Sequence, residues 1–143
     1  MPSRRLVALL AALIIVAAIL YAATPYARAA SLFVRSAHLG GRVGALANAS
    51  ARTVDVRPPH LIPTRQGNVR AQFYWPHGRI RRSVLLVPGV HSMGIAEPRL
   101  TALATDLAGS GIVAMTLALP DLVGYQITAR SADVIEDAVA WMA

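Results

Sequence analysis

A chain of 143 residues with a net charge of +7, 55% hydrophobic residues and no cysteine has the length of one domain, and it can form neither disulfides nor thiolate metal sites. The charge is unevenly placed: residues 1–82 carry twelve arginines against Asp55 alone, whereas residues 83–143 carry Arg99 and Arg130 against six acids. A basic excess confined to the half that contains a long apolar segment fits anionic headgroups better than a phosphate backbone. The few scattered aromatic residues offer no base-stacking platform, so membrane lipid is an expected partner and nucleic acid is not.

Residues 1–5 are a basic leader holding Arg4 and Arg5. Residues 6–23 carry no charge and only Tyr21 breaks their apolar character; eighteen residues at about 1.5 Å each reach roughly 27 Å, close to the hydrocarbon thickness of a bilayer. The segment reads as an uncleaved signal anchor or as a signal peptide cut at Ala27-Arg28-Ala29. Secretory apolar cores run to about 7–15 residues, so the length favours the anchor. Arg4 and Arg5 before the span nearly balance Arg28 and Arg35 after it. The short basic leader, which resembles an export signal, points to a single-pass protein with its N-terminus inside and its domain extracytoplasmic. In the Ala-rich connector 24–52, Arg28, Arg35 and Arg42 recur every seven residues on roughly one helical face. This is either an interfacial helix whose arginines snorkel to headgroups or a plain linker helix, with Gly40-Gly41 arguing against continuity.

The remaining segment, 53–143, alternates strand and helix signals. Asp55 to Pro59 is a short extended piece followed by a stiff loop. Gly67-Asn68 signals a turn, and Val69, Ala71 and Phe73 alternate with Arg70, Gln72 and Tyr74, the period of a half-exposed strand. Pro76 to Arg82 is a polar connection. Ser83 to Val87 is unbroken apolar sequence after its first residue, as in a strand buried on both faces of a parallel sheet, and Pro88-Gly89 ends it. A loop from Val90 to Ala96 leads to Pro98, placed where a first helical residue tolerates proline. Leu100, Leu103, Ala104 and Leu107 then share one helical face, and Gly109 and Gly111 flank the helix end. Ile112 to Leu119 is a second apolar run, closed by Pro120-Asp121. Strand, helix and strand make a βαβ unit. Leu122 to Gln126 reads as loop, and a last helix over 129–142 presents Val134, Ile135, Ala138, Val139 and Met142.

Side-chain chemistry is sparse. Ser92, in Gly89-Val90-His91-Ser92-Met93-Gly94, resembles the serine of a G-x-S-x-G elbow, but Val90 stands two residues before it. A side chain there would crowd the strained turn, so Ser92 reads as a loop serine and a poor nucleophile. The backbone is more promising. A loop leaving the carboxyl end of a parallel strand can aim amide N–H groups into a crevice where a carbonyl oxygen becomes negative; the N–H of Val90 is the candidate donor, with Gly89, His91 and Asp121 as candidate lining. His91 can equally be a solvated loop histidine, and Asp121 a turn residue. Gly109-Ser110-Gly111-Ile112-Val113-Ala114 matches G-x-G-x-x-A loosely, but it ends a helix and opens a strand, the reverse of a dinucleotide site. His38, His60, His77 and His91 lack ligand spacing, and Asp133, Glu136 and Asp137 read as a solvated helix face. No metal and no cofactor is expected.

Val84 to His91, Arg99-Leu100 leading a helix with Leu103-Ala104 and Leu107-Ala108, Gly111 before Ile112-Val113-Ala114-Met115, and Leu119-Pro120-Asp121-Leu122 together resemble the α/β-hydrolase superfamily, with dienelactone-hydrolase-like or esterase-like members nearest. The resemblance covers about residues 62–143, and Pro88 stands where many members carry histidine. It implies an α/β fold, here an incomplete hydrolase-type sheet of one βαβ unit and N-terminal strands behind a transmembrane helix. The strand at Val84 would be the family's third, Gly89-Val90 its oxyanion loop, and the strand at Ile112 its fourth. The family's nucleophile, acid and histidine follow further along the chain.

The resemblance thus implies the N-terminal part of a membrane-anchored hydrolase of carbonyl esters, lactones or amides. It would be inactive alone, because the catalytic triad falls beyond Ala143. The family's fifth strand should cover the free side of the third, so an exposed edge is expected at Val84. The alternative is a membrane-anchored interaction module that completes its sheet by pairing that edge with a partner.

Overall fold

The structure, a computed structural model, describes residues 4–80 and 82–143. In chain order the elements are α1 (Arg4–Ser36), α2 (Gly41–Ala49), β1 (Val54–Val56), β2 (His60–Thr64), β3 (Gly67–Pro76), β4 (Arg82–Leu86), a 3-10 turn (Gly94–Ala96), α3 (Pro98–Gly109), β5 (Ile112–Leu117), α4 (Pro120–Val123) and α5 (Ala129–Met142). The sheet is mixed: β3 pairs antiparallel with β1 and β2 on one side and with β5 on the other, and β5 pairs in parallel with β4.

The pattern of β5 explains the layering. Met115 and Leu117, on one face, join Ile62, Val69, Phe73, Leu119 and Val134 in a core covered by α5. The other face carries Ala114, which meets Tyr74 and the fully buried Ala104 and Ala108 of α3. Small residues there let the helix approach the sheet closely, while the large ones fill the opposite layer. Tyr74 is therefore buried rather than solvent-facing, a correction to the half-exposed strand read from the alternation. Burial pushes its hydroxyl pKa up.

β1 and β2 form one interrupted strand along β3. Val56 faces Tyr74 and His60 faces Ala71, so four steps on one strand span three on the other, a β-bulge at Arg57-Pro58-Pro59. Prolines suit it because neither has an N–H to give a ladder. The Gln72 side chain donates to the Arg57 carbonyl, satisfying the acceptor that the bulge turns out. The stiff loop expected after Asp55 is thus partly strand, and the turn falls on Arg65-Gln66, with Gly67 at φ +101° opening β3.

Two other expectations change. Val84, Leu85 and Leu86 are half-buried rather than enclosed, because among the described residues β4 pairs only with β5 and so forms an edge. Pro120 to Val123, read as the end of a strand and the start of a loop, is one turn of helix.

The connector also differs from its sequence reading. α1 is 33 residues long, passes through Pro25 without a break and extends about 50 Å. Its residues 6–36 contain a window apolar enough to cross a membrane, and the large side chains from Leu6 to Tyr26 are exposed. Near Gly40-Gly41 the chain turns, with His38 and Gly41 at positive φ. Arg35 does not snorkel to headgroups: its side chain is 6% exposed. One guanidinium nitrogen donates to Ser31 Oγ at 2.7 Å and the Ala47 carbonyl at 3.0 Å. The other donates to the Asp106 carbonyl at 3.1 Å and Ser110 Oγ at 2.7 Å, while Nε faces Asp106 Oδ1 at 3.5 Å. One side chain therefore ties α1, α2 and α3 together.

Removing one partner of a buried ion pair strands the other in a medium that solvates it poorly. Asp106→Ala is expected to cost about 3 kcal/mol, whereas Arg35→Met with Asp106→Leu should cost clearly less, because no buried charge remains unpaired. Urea unfolding of the full chain in micelles, followed by tryptophan fluorescence, checks the order.

Candidate functional site

The carboxyl ends of β4 and β5 lie side by side, because Leu86 and Thr116 are partners in a parallel ladder. The loops that follow converge. After β4, Pro88 is buried while Gly89 and Val90 are exposed, and among the described residues no acceptor engages the Val90 N–H. An unsatisfied amide in water-accessible space at this end of a sheet is available to a ligand oxygen.

The next residues brace this loop. His91 Nδ1 accepts from Met93 N at 3.1 Å and the His91 carbonyl accepts from Gly94 N at 3.0 Å. The histidine thus serves as a turn residue, and Ser92 is exposed in the turn with no hydrogen bond among the described residues. Gly94 holds φ +52°, and a Cβ there would sit 3.1 Å from Val123 Cγ2. The loop after β4 and the helix after β5 are therefore in close contact, and the positive φ there favours glycine.

Asp121 opens α4. Its carboxylate accepts from Thr128 Oγ1, and its carbonyl accepts from Gln126 N at 2.8 Å. That is the turn-bracing role, and it holds the segment leading to α5. Gly89, Val90, His91 and Asp121 thus share one end of the sheet, but His91 and Asp121 are engaged in local structure. Among the described residues no group of three or more metal-ligating side chains occurs.

Sequence reasoning missed two features here. Glu97 caps α3: its carboxylate accepts from Leu100 N at 2.6 Å ahead of Pro98 in the first helical position. Desolvation would raise its pKa, but amides of Arg99 and Leu100 and the nearby Arg99 and His91 charges outweigh it and hold the carboxyl below its ordinary range. The signal was legible as an acid three residues before a helical amide, though glutamate is not among the usual capping residues. The second is a groove of about 640 Å³ running from the loop at Met93 and Ile95 down between α3 and β3, bordered by Arg70, Tyr74, Thr101 and Thr105. It is the size of a small-molecule pocket. Strand alternation placed Arg70 outward without revealing the groove, because the groove depends on where α3 lies.

The depressed Glu97 pKa has a definite sign. A carboxyl held below its unfolded value contributes stability above that value, about pH 4.3, and loses it as the pH falls through the folded value. Glu97→Ala is expected to lower the urea midpoint at pH 7, and the gap from the unaltered chain should close at pH 3; a gap as wide at pH 3 would contradict the charged cap.

A scan against models of known protein families finds no match to this chain, and neither does a search of curated proteins, so the site is read from its own geometry.

Proposed function

We propose that this chain is the N-terminal, membrane-anchored part of an α/β-hydrolase acting on carbonyl esters, lactones or amides. In this reading it supplies an oxyanion donor while the nucleophile, acid and histidine come from beyond Ala143. The observation that carries the reading is the unengaged Val90 N–H on an exposed loop at the carboxyl end of a parallel strand. The strand order supports it as well. β5 lies between β3 and β4, as the fourth strand of the resembled family lies beside the third, and among the described residues no strand pairs with the outer edge of β4, where the family's fifth strand would lie.

The mechanistic role is electrostatic. When a nucleophile attacks a carbonyl, its oxygen gains negative charge, and a fixed N–H stabilises that charge without reorganising. The second donor would be the amide that follows the nucleophile. α1 would be the anchor, crossing once with its N-terminus inside and holding the domain in the extracytoplasmic space.

The open β4 edge equally favours a second reading, a non-catalytic module that adds a partner's strand to its sheet. A catalytic assay separates the two. In the protein extended by the residues its coding sequence supplies after Ala143, p-nitrophenyl acetate is expected to be hydrolysed. Val90→Pro, which removes the N–H and fixes φ, should lower kcat by about 10²–10³-fold. The chain of 143 residues should not react with a fluorophosphonate. Stoichiometric capture at Ser92 would overturn the inactivity proposed for this chain alone, and an extended protein that hydrolyses no ester, or full activity in Val90→Pro, would overturn the hydrolase reading with Val90 as its oxyanion donor.

A further inference from the structure

We infer that the bilayer lies against the end of the sheet opposite the Val90 loop, so the site takes water-soluble substrates and not esters embedded in the same membrane. The substrate clause rests on the hydrolase reading; the orientation follows from the packing of α1.

The directions of three elements decide it. α3 joins two parallel strands, so it runs back against them, with Pro98 near their carboxyl ends and Gly109 near the start of β5. α1 lies along α3. Val34 and His38 border a cleft with Pro98 and Thr101, Arg35 bonds to Asp106 and Ser110, and Leu20, Ala23 and Arg28 lie beside Gly109 and Ser110. The chain of α1 therefore runs antiparallel to α3 and parallel to β4 and β5. Followed backwards, its apolar residues leave the domain at the amino ends of the strands. Six residues of β5 at about 3.3 Å each put the carboxyl end of the strand, beside the Val90 loop, roughly 20 Å from that end.

Charge supports the same placement. Arg28 and Arg52 lie beside Gly109, Arg52 donates to the Arg79 carbonyl at 2.8 Å, and Arg82 faces Ile112 at the start of the parallel ladder. These four arginines gather at the end where the apolar helix emerges. Among the described residues none of them pairs with a carboxylate, the ion pairs being those of Arg35, Arg57 and Arg65. A cluster of cations without carboxylate partners among the described residues, beside an apolar helix, matches the anionic headgroup layer. At the opposite end stand Glu97 and Asp121, which that layer would repel.

A chain without cysteine accepts single labels cleanly. With the full chain in phosphatidylcholine–phosphatidylglycerol vesicles, bimane on His77→Cys, in the exposed turn after β3, is expected to be quenched by nitroxide-headgroup lipid at least threefold more than bimane on Ser92→Cys. Equal quenching, or stronger quenching at residue 92, would overturn the orientation. Because no catalysis is read, that result would leave the hydrolase reading standing. The expected quenching, found with an extended protein that hydrolyses no ester, would uphold the orientation and count against the hydrolase.

Discussion

A single buried guanidinium decides how the apolar helix and the sheet are joined. Arg35 is sequestered among oxygen acceptors from three helices, and a charge in that position is tolerable only while all of them stay in place. Its cost when unpaired makes the junction a specific one: a shift of α1 along α3 by one turn would remove the Asp106 and Ser110 partners together. The junction therefore has a register as well as an affinity, and the direction of the helix is transmitted to the strands.

From that junction the remaining architecture follows by packing. α3 can lie close to β5 because Ala104, Ala108 and Ala114 are small and fully buried, and α5 covers the other face with Val134 and Ala138. The two helices sandwich a strand that is paired on both edges, while β4, with its half-buried Val84, Leu85 and Leu86, is left at the rim. Its position concentrates the exposed backbone of the sheet next to the loop that presents Val90. One side of the molecule thus combines a free amide and a free strand edge, and the other combines cations and an apolar helix.

Much of this was legible in residue order. The βαβ unit followed from two apolar runs separated by a proline-led helix, and α5 matches the predicted 129–142. The glycine after α3 was legible because Gly111, at φ +92°, occupies a conformation other residues avoid. What local pattern could not supply was anything decided by contacts between distant segments. Heptad spacing made Arg28, Arg35 and Arg42 look equivalent, yet only the fold brings Asp106 and Ser110 to Arg35. β2 was hidden by Pro58 and Pro59, whose missing amides suit a bulge as well as a loop. At the site, the exposure of Gly89-Val90 was readable from turn chemistry, whereas the bracing of His91 by Met93 and of Asp121 by Thr128 required the loop geometry.

The central claim is that α1 and the sheet form one body with a fixed register. Pulsed electron resonance between nitroxides on Phe33→Cys and Leu103→Cys, both exposed positions on neighbouring helices, tests it most directly in the full chain in vesicles. The account predicts a single narrow distance distribution. A broad or multimodal one would mean that the helix swings freely beside α3, and would contradict it.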